Sequence, residues 1–302
     1  MILKRYLTLF FTAAAVICIL CGCSGEQSGD NGKVKVACGL PPVAFIAHEI
    51  GGKNVAVQSM LPVGRSPHDY APRPADIRDA GRAALFFTTG MNFEQSASRA
   101  MPESVKIIDV TSGIRRRHFD DGQGCCDGHG EAHDHNSEAL DPHIWLSPVM
   151  AAHIADTVRD ALVAVDPTHA AEYQKNCSTL KKRLMDIHAE NLRRLAPFAG
   201  REFLVYHPAF GYFADSYKLR QHPLEINGRE MTAVQLANVI AKAKKENIKV
   251  VFVQPQFNPR TANELARRIN GTAVPLDPLA YDLEGNFKLM TDAICRGFGE
   301  NK

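Results

Sequence analysis

The sequence predicts an α/β protein with two lobes, each built around a parallel sheet. Short β-rich runs alternate with amphipathic segments along most of the 302 residues, as is typical of parallel sheets flanked by helices. Near the middle, a stretch of roughly thirty residues without proline or glycine after its first turn predicts a helix of about 45 Å. Such a length suits a helix that joins two lobes better than one that covers a single sheet.

The amino terminus indicates export. Lys4 and Arg5 precede an apolar run over residues 6–20, which is too short for a comfortable membrane span but typical of a signal peptide. The run ends in Leu20-Cys21-Gly22-Cys23, which resembles a bacterial lipobox. We therefore expect residues 1–22 to be a lipoprotein signal peptide and Cys23 to carry the lipid, with ordinary secretory cleavage nearby as the alternative.

The mature chain is nearly neutral and begins with a polar segment. Residues 23–33 are rich in Gly, Ser, Asn and acids, and we expect them to form a flexible tether. The full chain has 35 basic and 33 acidic residues, and removal of Lys4 and Arg5 with the signal peptide leaves 33 of each. This balance gives no electrostatic case for binding nucleic acid.

The cysteines that remain after processing define no disulfide framework. Their number is odd and their spacing does not repeat, so the pairing cannot be deduced and none is assigned. These residues are Cys38, Cys125, Cys126, Cys177 and Cys295.

The first lobe is predicted over residues 34–165. A helical segment at 43–50 ends at a Gly-Gly pair, as expected for a helix terminus. Its strands are predicted at Val34–Cys38, 55–60, Leu85–Thr88 and Lys106–Asp109.

The linking helix and the second lobe are predicted over residues 166–196 and 197–302. Asp166 is suited to cap the linking helix, with Pro167 in its first turn. Thr232 and Gln235 form a capping-box pattern at the start of a further helix. Strands are predicted at 203–206, Val250–Val253 and 273–276, and a final helix at 287–298.

Four segments place a metal-binding side chain next to a proline after predicted strands. Ligands in open α/β sheets gather beyond the carboxyl ends of the strands, and two of these segments come from each half of the chain. Proline restricts the loop backbone and so lowers the entropy lost when a ligand is held in place. We therefore expect a metal site in the cleft between the lobes, formed by His68, His143, His207 and Asp277.

The residue types favour zinc. Three imidazoles and one carboxylate suit tetrahedral Zn²⁺, whereas Mn²⁺ prefers a set richer in oxygen. His48, His153, His169 and His188 fall within helical stretches and His222 follows no clear strand, so none of them is assigned to the site.

The motifs around these residues resemble the TroA-like metal-binding solute-binding proteins of ABC importers, and within them the zinc-uptake branch. The resemblance includes Pro41-Pro42, the Pro-His-Asp-Tyr segment ending at Tyr70, residues 141–148 and residues 252–257. It implies two α/β lobes joined by a long rigid helix, with the three histidines and Asp277 at the positions of the metal ligands. Many members of the zinc branch carry Glu near the first histidine, where this chain has Ser66-Pro67, so the fourth ligand is Asp277 or a water.

An insert over residues 115–139 is rich in potential metal ligands. Cys125 and Cys126 stand there among acids and glycines, a composition that predicts a mobile loop with weak metal affinity. It resembles a short form of the His-rich loop of the zinc branch, and an ordinary solvated insertion is the alternative. Its histidines are His118, His129, His133 and His135.

The function we expect is capture of Zn²⁺ outside the cytoplasmic membrane and delivery to the permease of an ABC transporter. We expect a lipid-anchored monomer in the periplasm or an equivalent extracytoplasmic space. Manganese or a broader range of divalent metals is the nearest alternative. A zinc hydrolase is disfavoured because no His-Glu-x-x-His motif or nucleophile elbow occurs, and a surface adhesin stays open.

Overall fold

A computed structural model describes residues 32–118, 140–226, 229–257 and 260–299. The predicted signal peptide and Cys23 lie outside the described residues, as do most of the tether and insert residues 119–139.

The first sheet has four parallel strands, with strand order β2-β1-β3-β4. Three of its strands have the predicted bounds, and β2 ends one residue earlier than predicted. The elements in chain order are β1 (Val34–Cys38), α1 (Pro41–Gly51), β2 (Val55–Ser59), α2 (Pro74–Ala80), β3 (Leu85–Thr88), α3 (Asn92–Ser98) and β4 (Lys106–Asp109).

Two long helices follow, α4 (Pro148–Val165) and α5 (Ala170–Leu195). Asp166, the predicted N-cap of α5, does not cap the helix, because its side chain makes no capping hydrogen bond to the backbone. Its carboxylate instead accepts the Tyr173 hydroxyl at 2.6 Å and lies 2.6 Å from Nδ1 of His169. The chain therefore enters α5 through a short 3-10 turn.

Helix α5 connects the two halves of the molecule. It has 26 residues, about 39 Å at 1.5 Å per residue, and packs against α1 and α4 and also against the last helix of the chain. Its Arg183 forms ion pairs with Glu49 of α1 and, at 2.8 Å, with Glu284 of the last helix. Both halves thus attach to one helix, as the sequence predicts.

The second sheet also has four parallel strands, in the order β10-β9-β5-β6, and a separate antiparallel pair joins β7 to β8. Thr232 caps α7 through the predicted capping box with Gln235. The elements are β5 (Glu202–Val205), α6 (Gly211–Ser216), β6 (Arg220–Pro223), β7 (Glu225–Ile226), β8 (Arg229–Glu230), α7 (Ala233–Lys245), β9 (Val250–Val253), α8 (Arg260–Arg268), β10 (Thr272–Pro275) and α9 (Leu283–Phe298).

The core is continuous on one side of the second sheet and separate on the other. Phe203 and Phe252 join the large cluster that includes the first sheet, whereas Leu204 and Val251 face a smaller cluster under α7 and α8. This alternation follows from the two-residue period of strands buried on both faces. The α/β class predicted from the sequence is confirmed.

Two further findings concern the described residues alone. Their three cysteines, at positions 38, 177 and 295, are free and buried. Across these same residues, we find no helix with the length and apolar character needed to span a membrane.

Candidate metal site

His68 lies in the segment between β2 and α2, and it is the exposed member of the predicted site. Its backbone N–H donates to Oγ of Ser66 at 3.3 Å. Tyr70, two residues on, anchors the segment, because its hydroxyl donates to Asp76 at 2.8 Å and lies 3.3 Å from the carbonyl of Met60. His68 thus lies on a surface segment whose position is fixed by the hydrogen bonds of Tyr70.

His143 is buried and is held by Asp141. Oδ1 of Asp141 accepts the backbone N–H of His143 at 2.9 Å and lies 2.8 Å from its Nδ1. The other carboxylate oxygen accepts from Arg117 at 3.1 Å, and the Tyr212 hydroxyl donates to the Asp141 carbonyl at 2.9 Å. The carboxylate that orients this ring is therefore itself fixed from several sides.

His207 is buried two residues beyond β5. Its Nδ1 lies 2.5 Å from Oε1 of Glu225, a buried residue that follows β6. Gln254 fixes the backbone by accepting the N–H of His207 at 3.1 Å and donating to its carbonyl at 2.5 Å. The ring of Phe257 stacks on the imidazole at 5.5 Å between centroids.

The three histidines converge. One nitrogen from each lies within 4.8 Å of the others, and the ring centroids are 4.6 to 5.6 Å apart. The rings line a cavity of about 10 Å³, which is room for one water-sized body. Three of the four predicted ligands therefore meet at one point with space for one ion.

The electrostatics of the cluster favour neutral rings. Although His68 is exposed as a residue, loss of solvent around its ring, together with the nearby His207 and His143, lowers its pKa to about 3. Burial also lowers the pKa of His143, against the opposing effect of Asp141. Because Asp141 and Glu225 accept from Nδ1 of their rings, Nε2 of each ring keeps its lone pair for a metal.

Asp277 lies outside the group of converging ligand atoms. Its Oδ1 accepts from Nε2 of Gln256 at 2.7 Å and from the backbone N–H of Leu279 at 2.9 Å.

The other described histidines also lie outside the group of converging ligand atoms. They are His48, His118, His153, His169, His188 and His222. The remaining insert histidines lie outside the described residues.

The segments that carry the ligands do not all follow strands in the predicted way. His207 follows β5 and Asp277 follows β10, but His143 comes after the insert, next to an isolated bridge that pairs His118 with Leu140. Trp145, beside His143, donates from Nε1 to the carbonyl of Pro278 at 2.7 Å. This bond joins the His143 segment directly to the segment that carries Asp277.

Two parallel-sheet lobes joined by a long helix, with three imidazoles converging between segments of both, define a solute-binding protein for a metal ion. The chain matches the family described as zinc-uptake complex component A, periplasmic, over residues 36–295, and it belongs to that family. It is accordingly a metal-uptake protein of the extracytoplasmic space and not an enzyme.

Relatives with established names agree with this assignment. The chain is 29% identical to the high-affinity zinc uptake system protein ZnuA of Bacillus subtilis, over 91% of this chain and 89% of that one. It is 28% identical to the zinc-binding protein AdcA of Streptococcus pyogenes over 87% of this chain, and it spans about half the length of AdcA, 53%.

Solved structures share the fold. A crystal structure of ZnuA has a TM-score of 0.79 and 29% identity, covering 88% of this chain and 99% of that one. A ZnuA deletion mutant with zinc bound has a TM-score of 0.78 at 30% identity, covering 88% and 98%. The predicted two-lobed architecture is thus confirmed by its neighbours.

Proposed function

We propose that the chain captures Zn²⁺ through His68, His143 and His207 and delivers it to the permease of an ABC transporter. The observation that carries the proposal is the convergence of three ligand nitrogens around space for one ion. Asp141 and Glu225 support it, because carboxylates behind ligand histidines fix the rings and raise their basicity.

Zinc is proposed over manganese because the converging donors are nitrogens. Borderline Zn²⁺ accepts imidazole readily, whereas Mn²⁺ prefers carboxylate and other oxygen donors. The zinc-bound ZnuA deletion mutant, at 30% identity, supports the same metal. Zinc displaces manganese from most protein sites, so competition in vitro cannot separate the two. The metal content of protein isolated from cells grown with both metals does, and we expect zinc.

The direct test is removal of each histidine in turn. We expect His68→Ala, His143→Ala and His207→Ala each to lower zinc affinity by more than about 100-fold, because even a lost outer-shell partner costs about 10- to 100-fold. His153→Ala is the matched control, since His153 is exposed on α4. Affinity is measured by competition with a chelator, and tight binding in all three variants would rule out the proposed site.

Attachment to the membrane is the second part of the proposal. We propose that Cys23 carries the lipid and that residues 23–33 tether the folded part. The support is the lipobox-like sequence that ends at Cys23. Cys23→Ser should release protein that still binds zinc, and recovery of this variant in the membrane fraction of cells would contradict the anchor.

The insert is proposed to bind metal weakly and to be dispensable for the three-histidine site. The bridge between His118 and Leu140 supports this, because it closes the chain at the base of the insert. Deletion of residues 122–136 should remove any weak second zinc and leave tight binding within about threefold, a difference below 1 kcal/mol. Titration of both proteins with and without reductant tests it, and loss of tight binding would mean that the insert supplies a ligand.

A further inference from the structure

Gln256 has the properties of a fourth donor at the proposed zinc site. Its side chain lines the same small cavity as His68, His143 and His207. Its Oε1 is buried and, within the described residues, has no hydrogen-bond partner. A buried amide oxygen without a partner costs about 1–3 kcal/mol, so such an atom at the wall of a metal-sized cavity points to a ligand.

Asp277 determines which end of this amide is available. A carboxylate oxygen only accepts hydrogen bonds, so the atom of Gln256 that lies 2.7 Å from Asp277 is the NH₂ group. The carbonyl end of the amide is therefore directed away from Asp277. The Asp277 oxygen is held in turn by the backbone N–H of Leu279, and the Asp277 carbonyl accepts from Asn286 at 2.8 Å.

The wall of the cavity limits which side chains could supply a fourth donor. Besides the three imidazoles, its polar side chains are those of Gln256 and Ser66. Ser66 also lines the cavity, but its Oγ already accepts the backbone N–H of His68 in an exposed position.

We propose that Oε1 of Gln256 supplies the fourth donor to the captured ion, and that Asp277 is a positioning residue that orients the amide. This inference rests on the proposed zinc site and replaces Asp277 or a water as its fourth ligand. Three neutral imidazoles and a neutral amide then surround the ion. The acids Asp141, Glu225 and Asp277 each lie one hydrogen bond farther out.

The test compares Gln256→Ala with Asp277→Asn in the full chain. Gln256→Ala removes the donor and should lower zinc affinity about 10- to 100-fold. Asp277→Asn retains an oxygen that can accept from Gln256 and Leu279, so its zinc affinity should stay within about threefold of the original. His153→Ala, which is exposed on α4 and outside the group of converging histidines, is the control and should bind as the original protein does.

A spectroscopic readout separates a ligand from a merely structural residue. Co²⁺ in the site reports its donors through its visible absorption, which should change in Gln256→Ala and stay the same in Asp277→Asn. Circular dichroism of each metal-free variant checks that it folds. Unchanged zinc affinity and Co²⁺ absorption in Gln256→Ala, or a loss in Asp277→Asn as large as that in Gln256→Ala, would overturn the proposal.

The same experiment separates this inference from the proposed function. His68→Ala loses tight zinc binding if the three-histidine site is right, whatever Gln256 does. Loss in His68→Ala with no effect of Gln256→Ala would refute the fourth donor alone. Tight binding that survives His68→Ala would refute the site itself.

Discussion

Each of the two four-stranded sheets has a buried glutamate beyond the end of one of its strands, and the two are used differently. Glu94 lies in α3 after β3 and is 0% exposed, and Glu225 follows β6 and is 7% exposed. Glu225 pairs with the ring of His207. Glu94 is held by its own loop, where its Oε2 accepts the backbone N–H groups of Thr89 and Met91 at 2.8 and 2.9 Å.

The difference shows that burial alone does not make a carboxylate part of a site. Burial raises the pKa of Glu94 to about 7, with the backbone hydrogen bonds acting in the opposite direction. A Cβ atom on Gly39 would lie 1.7 Å from its Oε1, so this carboxyl group is packed tightly against the backbone that follows β1. Glu225 contacts the histidine cluster because its partner is the imidazole of His207, which lines the cavity.

The largest expected effect is on the pH dependence of stability, through Glu94→Gln. The folded pKa of about 7 lies above the ordinary glutamate pKa of 4.5, so the stabilising contribution is fully present below about pH 4.5 and is lost as pH rises through 7. The shift corresponds to about 3 kcal/mol. Urea unfolding of the metal-free original protein and of metal-free Glu94→Gln is measured from pH 4.5 to pH 7. The difference between their free energies of unfolding should change by about 3 kcal/mol over this range, because Gln cannot ionise.

Two parallel stability profiles would contradict this account and would mean that Glu94 keeps its charge in the folded protein. Zinc affinity provides the control. Glu94→Gln should leave it unchanged, because Glu94 hydrogen-bonds Thr89 and Met91 and no histidine of the site.

A smaller effect is expected from Glu225→Gln on zinc affinity. The glutamine oxygen can still accept from Nδ1 of His207, but the negative charge that raises the basicity of the ring is lost. We expect affinity to fall about tenfold, or about 1.4 kcal/mol, at the low end of outer-shell effects. Chelator competition on this variant beside Glu94→Gln measures the contrast, and equal affinities would remove the distinction between the two glutamates.

The smallest effect is expected for the stability of metal-free His68→Ala. Its ring has no carboxylate hydrogen bond within the part of the chain that the structure describes, and the residue is exposed. Well above the ordinary histidine pKa of 6.5, where the ring is neutral in the folded and unfolded states, surface changes of this kind alter the free energy of unfolding by about 0.5 kcal/mol or less. Urea unfolding beside His153→Ala is the measurement, and a loss above about 1 kcal/mol would show that the ring cluster stabilises the empty site.

Local pattern was sufficient to predict seven of the ten described strands to within one residue, and to select the three histidines that converge. Apolar, β-rich runs identified β1, β3, β4 and β9, and prolines beside the histidines indicated ordered loops. Glu225 was missed because it follows β6, an edge strand of sequence Arg-Gln-His-Pro that has no apolar pattern. Its role arises only when β6 pairs with β5 and brings it to His207.

Gln256 was missed for a related reason. It stands in a motif that was noted in the sequence, but an amide has no charge or spacing that indicates a ligand. Its contact with Asp277 connects the loops after β9 and β10, which are neighbours only in the folded sheet. The start of α5 shows the same limit, since the choice of Asp166 between capping the helix and binding Tyr173 depends on side-chain packing.

The bridge between His118 and Leu140 allows the insert to change in evolution without moving the segment that carries His143. The backbone N–H of Asp141 donates to the carbonyl of Arg117 at 2.9 Å, so the chain returns beside the point where it left. Residues can be gained or lost between these two positions without changing the distance from Arg117 to Asp141. A change in the length or composition of the insert can therefore leave the carboxylate behind His143 in place.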